Sequence, residues 1–336
     1  MAVLLEADNV SKVFGGGLFN RTETVAVQRA SLTIHDDRPS ITAIAGESGS
    51  GKTTLARLIL GIIQPSGGEI RYEGRELSTL SGAEWKTFRR EVQAVFQDPF
   101  EVYNPFYKVD HVLTTPVTKF YPKATNAEVR TMIAEALHTV GLRPEETLGR
   151  YPHQLSGGQR QRIMVARALL LKPKIIVADE PVSMVDASLR ATILESLLNV
   201  HRQLNVSLIY ITHDLTTAYQ LSENILMMYR GAVVELGAVD LWINDPQHPY
   251  TQLLVDSIPL PNPKLHWGEK EILPRDNGQS PSAQNCCAFA DRCPHVMSIC
   301  RENVPPLFRT HKRRGVACYL YDDAPVAEEN VLMRDF

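Results

Sequence analysis

The chain has 336 residues, 44% of them hydrophobic and 22% charged, with a formal net charge of −3. This length exceeds one comfortable core and predicts two domains, or one with an appendage. The composition is that of a globular protein rather than a disordered one, and the charge provides no basic field to draw in nucleic acid. No run approaches the ~18 apolar residues of a bilayer crossing; RIMVARALLLKPKIIVADEP comes nearest and is broken by Arg162, Arg167, Lys172 and Lys174. The first stretch, MAVLLEADNVSKVF, carries Glu6 and no long apolar centre, so no signal peptide is expected. The expected compartment is the cytoplasm, where thiols stay reduced and clustered cysteines point to metal before disulfide.

In chain order, the first informative element is ITAIAGESGSGKTTLARLILGII. A β-branched run from Ile41 to Ala45 turns through glycines into an apolar-periodic helix. Gly46-Glu47-Ser48-Gly49-Ser50-Gly51-Lys52-Thr53 fills every fixed position of G-x-x-x-x-G-K-[ST]. Gly46, Gly49 and Gly51 let the backbone curl so that its N–H groups face one anion, and the helix starting near Lys52 adds its positive dipole end. Lys52 is expected to reach the β- and γ-phosphates of a nucleoside triphosphate and Thr53 to ligate Mg²⁺, with Thr54 beside it in the nucleotide site.

KTFRREVQAVF carries Lys86, Arg89 and Arg90, which read as a solvated face. KATNAEVRTMIAEALHTVGL predicts an amphipathic helix with Val129, Ile133, Leu137 and Val140 inward. Ser156 and two glycines precede GGQRQRIMVARALLL, a helix with Ile163, Ala166 and Leu170 on one face. This is a second helix N-terminus with a hydroxyl, suited to phosphate. KPKIIVADEPVSMVD then predicts a buried strand, Ile175 to Ala178, ending in Asp179 and Glu180. Parallel sheets present functional groups at the carboxyl ends of their strands, so Asp179 is expected to help hold Mg²⁺ and Glu180 to act as general base toward water.

YPHQLSGGQRQRIMVARALLLKPKIIVADEP, with Leu155-Ser156-Gly157-Gly158-Gln159 ahead of the acidic strand, resembles the signature region of ATP-binding cassette (ABC) proteins. The resemblance runs from residue 3 to about 245 and implies roles for further residues. Gln97 in VFQDPF corresponds to the Q-loop glutamine, a catalytic and metal-sensing residue. His213 in IYITHDL corresponds to the switch histidine, Asp186 in SMVDAS to the D-loop aspartate, and Phe14 in SKVF to the aromatic that stacks on adenine. The departures are small: Ser183-Met184-Val185-Asp186 replaces S-A-L-D, Phe14 stands where Tyr is more frequent, and FGGGLFNRTETVAV lengthens the first hairpin. The family closes Ser156, Gly157, Gly158 and Gln159 of one cassette on the ATP of another, so the resemblance implies a partner cassette.

The implied fold is α/β: a P-loop NTPase ABC nucleotide-binding domain with a RecA-like core, an antiparallel β subdomain and a helical subdomain, followed by a Cys-rich extension. The expected boundaries are 1–245 for the cassette (helical subdomain about 98–170), 246–285 for an extension and linker, and 286–336 for the Cys-rich region.

All five cysteines lie beyond residue 285. Cys287, Cys293, Cys300 and Cys318 have the spacing C-x5-C-x6-C-x17-C. Four thiolates suit one tetrahedral zinc or a four-iron cluster, and four thiols can equally pack as small hydrophobes. His248-Pro249-Tyr250-Thr251, then Leu253-Leu254 and Pro259, resembles the extension of the oligopeptide/dipeptide branch of ABC importers, and CAFADRCPHVMSIC…VAC resembles that branch's cysteine motif. The second resemblance implies a [4Fe–4S] cluster on those four cysteines, with Cys286 a spare.

The implied function is ATP hydrolysis powering import of di- or oligopeptides, with oligosaccharide, nickel or opine cargo as the alternative. The implied partners are two transmembrane permease subunits, a second and paralogous ABC ATPase, and an extracytoplasmic substrate-binding protein. The chain is expected as a peripheral subunit on the cytoplasmic face of the inner membrane. A soluble ABC ATPase acting on nucleic acid or ribosomes is the distant alternative; such proteins add a coiled-coil insertion, a zinc hook or a second cassette, none of which is present.

Overall fold

The computed structural model describes residues 2–15, 23–97, 103–183, 185–258 and 285–327. Part of the lengthened first hairpin (16–22), the opening of the expected helical subdomain (98–102), Met184 of the D-loop, and most of the proline-rich linker (259–284) lie outside the described residues. The chain divides into two interleaved compact units, one chiefly Ile34–Ile41 and Arg75–Ile211, the other Val3–Thr33, Thr42–Gly74 and Thr212–Phe336.

The first unit carries three parallel strands, Val92–Val95, Ile175–Asp179 and Ser207–Thr212, with Val95 opposite Ala178 and Asp179 opposite Ile211. Every residue of Ile175–Asp179 is buried, which explains its apolar run: a strand inside a parallel sheet has no wet face. Helices Val109–Phe120, Asn126–Thr139 and Gly157–Leu169 pack together. Their inward stripes recur at helical spacing: Val109, Leu113 and Val117 on the first, Val129, Ile133 and Leu137 on the second, and Ile163 and Ala166 on the third, all buried, with Val140 and Leu170 following them inside.

The second unit holds the strand Ile41–Ala45, paired in parallel with Asn224–Tyr229. Asn224–Tyr229 turns back on Ala232–Ala238 through Arg230 and Gly231, both in the left-handed region as a two-residue hairpin turn requires. Val3–Phe14 pairs antiparallel with Gly67–Tyr72. The Cys-rich region joins the same unit through its backbone: Arg314–Val316 pairs with Ala232–Ala238 on one side and with Phe308–His311 on the other. Among the described residues, no helix is long and apolar enough to cross a membrane.

Thr125 begins the helix Asn126–Thr139 with a capping box, its hydroxyl accepting from the Glu128 N–H while Glu128 accepts from the Thr125 N–H. Replacing Thr125 by Ala is expected to lower unfolding free energy by ~1 kcal/mol in a denaturant titration; an unchanged midpoint would show that the cap contributes nothing.

Candidate functional site

The loop Gly46–Thr53 follows the strand Ile41–Ala45 and runs into the helix Lys52–Ile59. Gly46 and Gly51 are required by space as well as by backbone angle, and Gly49, at φ 81°, by backbone angle alone. A Cβ on Gly46 would stand 2.1 Å from the Met228 carbonyl oxygen, and one on Gly51, at φ 103°, would stand 2.2 Å from that of Ala26. The Lys52 Nζ is buried and donates to the carbonyls of Gly46 and Glu47, 2.8 Å each, so the ammonium sits inside the curl of the loop. The Ser50 N–H donates to the Glu47 carbonyl at 3.1 Å, and the Gly231 N–H to the Ser50 carbonyl at 2.9 Å. The Ser50 hydroxyl is buried with no hydrogen-bond partner among the described residues. An orphan donor and a buried ammonium in a glycine curl fit a bound polyphosphate. Thr53 is exposed on the first helical turn, and Thr54 follows it half-buried. Phe14, at the end of its strand, is 44% exposed.

Glu47 has two partners that its sequence neighbourhood does not foretell. Its backbone N–H donates to the Tyr250 hydroxyl at 2.9 Å, and its carboxylate receives the Arg292 guanidinium in a two-pronged contact, with distances of 3.1–3.3 Å. Tyr250 is set by the His248-Pro249-Tyr250-Thr251 run. Glu235, fully buried, accepts the N–H groups of His248 (2.9 Å) and Gln247 (3.2 Å). His248 Nδ1 in turn accepts the Tyr250 N–H at 3.1 Å and caps the helix Pro249–Asp256, with Pro249 at its first position. Burial pushes the Glu235 carboxyl up to about 7, against the pull of those N–H groups, and pushes the His248 imidazole down to about 3.

In the first unit, Asp179 ends its strand with its carboxylate buried, and Glu180 follows, half-buried. Glu180 has φ 45°, a strained angle for a side chain of its size, held by its N–H to the Ile211 carbonyl (2.9 Å) and by Ser183, whose N–H and hydroxyl donate to the Glu180 carbonyl at 3.2 and 3.0 Å. Gln97 is half-buried two residues beyond the strand Val92–Val95. Ser156 and Gln159 form a capping box at the head of the helix Gly157–Leu169, the Ser156 hydroxyl accepting from the Gln159 N–H at 3.2 Å and the Gln159 side chain accepting from the Ser156 N–H at 2.9 Å. Gly158 lets that helix lie close to Leu189, where a Cβ would come within 3.0 Å. Gly157 is half-buried beside it, and Asp186 is exposed at the head of the helix Ala187–Leu204. In the second unit, His213 is exposed, and the next residue, Asp214, caps the helix Leu215–Leu221.

The four cysteines of the motif lie in one neighbourhood. Burial, with the nearby thiols Cys300, Cys318 and Cys293, pushes the Cys287 thiol up to about 12; burial with Cys293, Cys300 and Glu235 pushes Cys318 up to about 11, and burial with Cys300 raises Cys293. Three of them accept a backbone N–H from two residues onward: Phe289 to Cys287, His295 to Cys293, and Leu320 to Cys318. This donor pattern stabilises thiolates and fits a thiolate-bound group. As they stand, no three or more His, Cys, Asp or Glu among the described residues are drawn together as a metal-ion ligand set. Cys286 is half-buried.

Residues 27–183 match the ABC transporter family model, and residues 234–300 match the model for the oligopeptide/dipeptide transporter C-terminal region. The oligopeptide transport ATP-binding protein OppF of Haemophilus influenzae is 38% identical over 82% of this chain and 83% of its own length. The chain belongs to the ATP-binding proteins of ABC transporters. The putative oligopeptide transport ATP-binding protein YkfD of Bacillus subtilis extends this cassette's likeness to nearly full length, 36% identical over 97% of this chain and 98% of that one. Among solved structures, the ATP-binding cassette MJ0796, a dimer in a post-hydrolysis state bound to ADP and Pi, aligns at TM-score 0.61 and 27% identity over 70% of this chain and 99% of that one. CbiO1 of Clostridium perfringens, part of the ABC transporter complex cbiONQ, aligns at 0.63 and 26% over 73% and 92%.

His248 carries a pH signature. Its imidazole titrates near 6.5 when unfolded and near 3 when folded, so it contributes stability above pH 6.5 that is lost as pH falls toward 3. His248→Asn, which keeps a capping acceptor, is expected to flatten that acid limb in denaturant titrations run across pH; an unchanged slope would remove His248 as its cause.

Proposed function

We infer that the chain is the ATP-hydrolysing subunit of an ABC importer for oligopeptides. The observation that carries this reading is the pairing, in one chain, of a complete phosphate loop with the oligopeptide/dipeptide C-terminal region. The OppF and YkfD relatives are named for oligopeptide transport, which supports peptide cargo over oligosaccharide, nickel or opine. The subunit associates with the membrane peripherally, at its cytoplasmic face, beneath two permease subunits that receive solute from an extracytoplasmic binding protein. A second, paralogous cassette completes the ATPase pair.

The roles assigned are these. Gly46–Thr54 hold the triphosphate, with Phe14 against the base. Thr53, Asp179 and Gln97 would hold Mg²⁺, which offsets phosphate charge. Ser156, Gly157, Gly158 and Gln159 present a helix N-terminus to the nucleotide of the partner cassette, and Asp186 lies at that junction. Glu180 orients water and accepts its proton, and His213 stabilises charge on the γ-phosphate. The positive φ of Glu180 supports its role: a costly backbone angle persists where a side chain must be aimed.

Glu180→Gln is expected to bind ATP as the native chain does and to hydrolyse it about 10²–10⁴-fold more slowly. Near-native turnover would remove Glu180 from the base role.

Cys287, Cys293, Cys300 and Cys318 are the proposed holders of a [4Fe–4S] cluster, which would supply a rigid tie among four chain positions. Anaerobically purified protein is expected to contain iron and labile sulfide in near-equal amounts. Zinc without iron would overturn the cluster assignment.

A further inference from the structure

We propose that the His248–Thr251 extension and the Cys-rich region together form a clamp on the phosphate loop, with Tyr250 of the first and Arg292 of the second as positioning residues that act on bound nucleotide through Glu47. The proposal rests on the ATPase reading above and adds a mechanism to it.

Glu47 stands inside the loop, one residue after Gly46. Its amide is turned toward Tyr250 and its carboxylate toward Arg292, so both ends of the residue are held by segments more than 200 positions away in the chain. Tyr250 is fully buried. Its ring lies 4.6 Å from that of Tyr229 and 5.5 Å from that of Phe289, which leaves its hydroxyl no freedom to follow a moving loop. The Arg292 guanidinium faces the rings of Tyr229 and Phe289, at 5.7 Å from each, and one of its nitrogens also reaches the Tyr229 hydroxyl at 3.4 Å. A planar fork set beside two aromatic rings and aimed at a carboxylate is a geometry that Lys does not reproduce.

Phe289 and Arg292 both lie between Cys287 and Cys293. Fixing those two cysteines therefore fixes the guanidinium that meets Glu47 and the ring beside it. A loop whose conformation is set in advance loses less entropy when phosphate binds, so the clamp acts on affinity. A contact that merely fastened the C-terminal region would affect stability and leave affinity alone.

The test is calorimetric titration of full-length protein with MgADP, beside its thermal midpoint without nucleotide, for the native chain, R292A, R292K, E47A, E47A/R292A and Y250F. R292A is expected to weaken ADP binding about tenfold, the scale of one charge-assisted contact, with R292K restoring only part. The double variant is expected to bind no worse than R292A alone, because both changes break one contact. In the assembled transporter the loss is expected in KM rather than in kcat. Native-like ADP affinity in R292A, or losses that multiply in the double variant, would overturn the clamp. Should R292A fail to fold, Y250F carries the test: it removes one oxygen, a loss of about threefold or more is expected, and unchanged affinity contradicts the proposal. A native chain that does not bind MgADP would overturn the ATPase reading itself, an outcome distinct from native binding with R292A unchanged.

Discussion

The structure depends on a loop that cannot hold itself. Three glycines turn Gly46–Gly51 inward, and a backbone so curled leaves carbonyls and N–H groups that must find partners elsewhere. They find them in Lys52 across the curl, in Gly231 at the turn of the neighbouring hairpin, and in the Tyr250 hydroxyl. The contacts of Gly46 with the Met228 carbonyl and of Gly51 with the Ala26 carbonyl show how little room the surrounding strands leave. The loop is held by several segments of the second unit rather than by itself.

This gives the C-terminal extension a physical place. The run His248-Pro249-Tyr250-Thr251 reads as an isolated motif along the chain. In the fold it is a relay: Glu235 receives the approaching backbone, His248 caps the helix, and Tyr250 reaches the loop. The Cys-rich region then adds a hairpin to the same sheet through Arg314–Val316 and brings Phe289 and Arg292 against the relay. A region that looks like an appendage in sequence is packed with the nucleotide loop in space.

What could be read from sequence was what is contiguous. The phosphate loop, the buried acidic strand and the helix behind Ser156 each lie within about a dozen residues, so each is visible as a local pattern, although the roles given to Asp179 and Ser156 come from their combination with the phosphate loop and from the family resemblance. The inward stripe of Asn126–Thr139 followed from its helical period. The Ser156–Gln159 capping box also carries a local signature, S-x-x-Q. The partners of Glu47 were not legible, because no local pattern joins residues 203 and 245 positions apart. Nor was the left-handed angle at Glu180, which comes from its N–H bond to Ile211 on the neighbouring strand rather than from any turn residue. The interleaving of the two units is likewise a property of contacts and leaves no mark on composition.

Purification of the chain from its native membranes, with every co-purifying protein identified, asks whether this cassette drives an importer. Two multi-span subunits, a second cassette and an extracytoplasmic solute-binding protein are expected. Recovery in the soluble fraction with ribosomal or DNA-bound partners would contradict that role, leaving only the nucleotide chemistry.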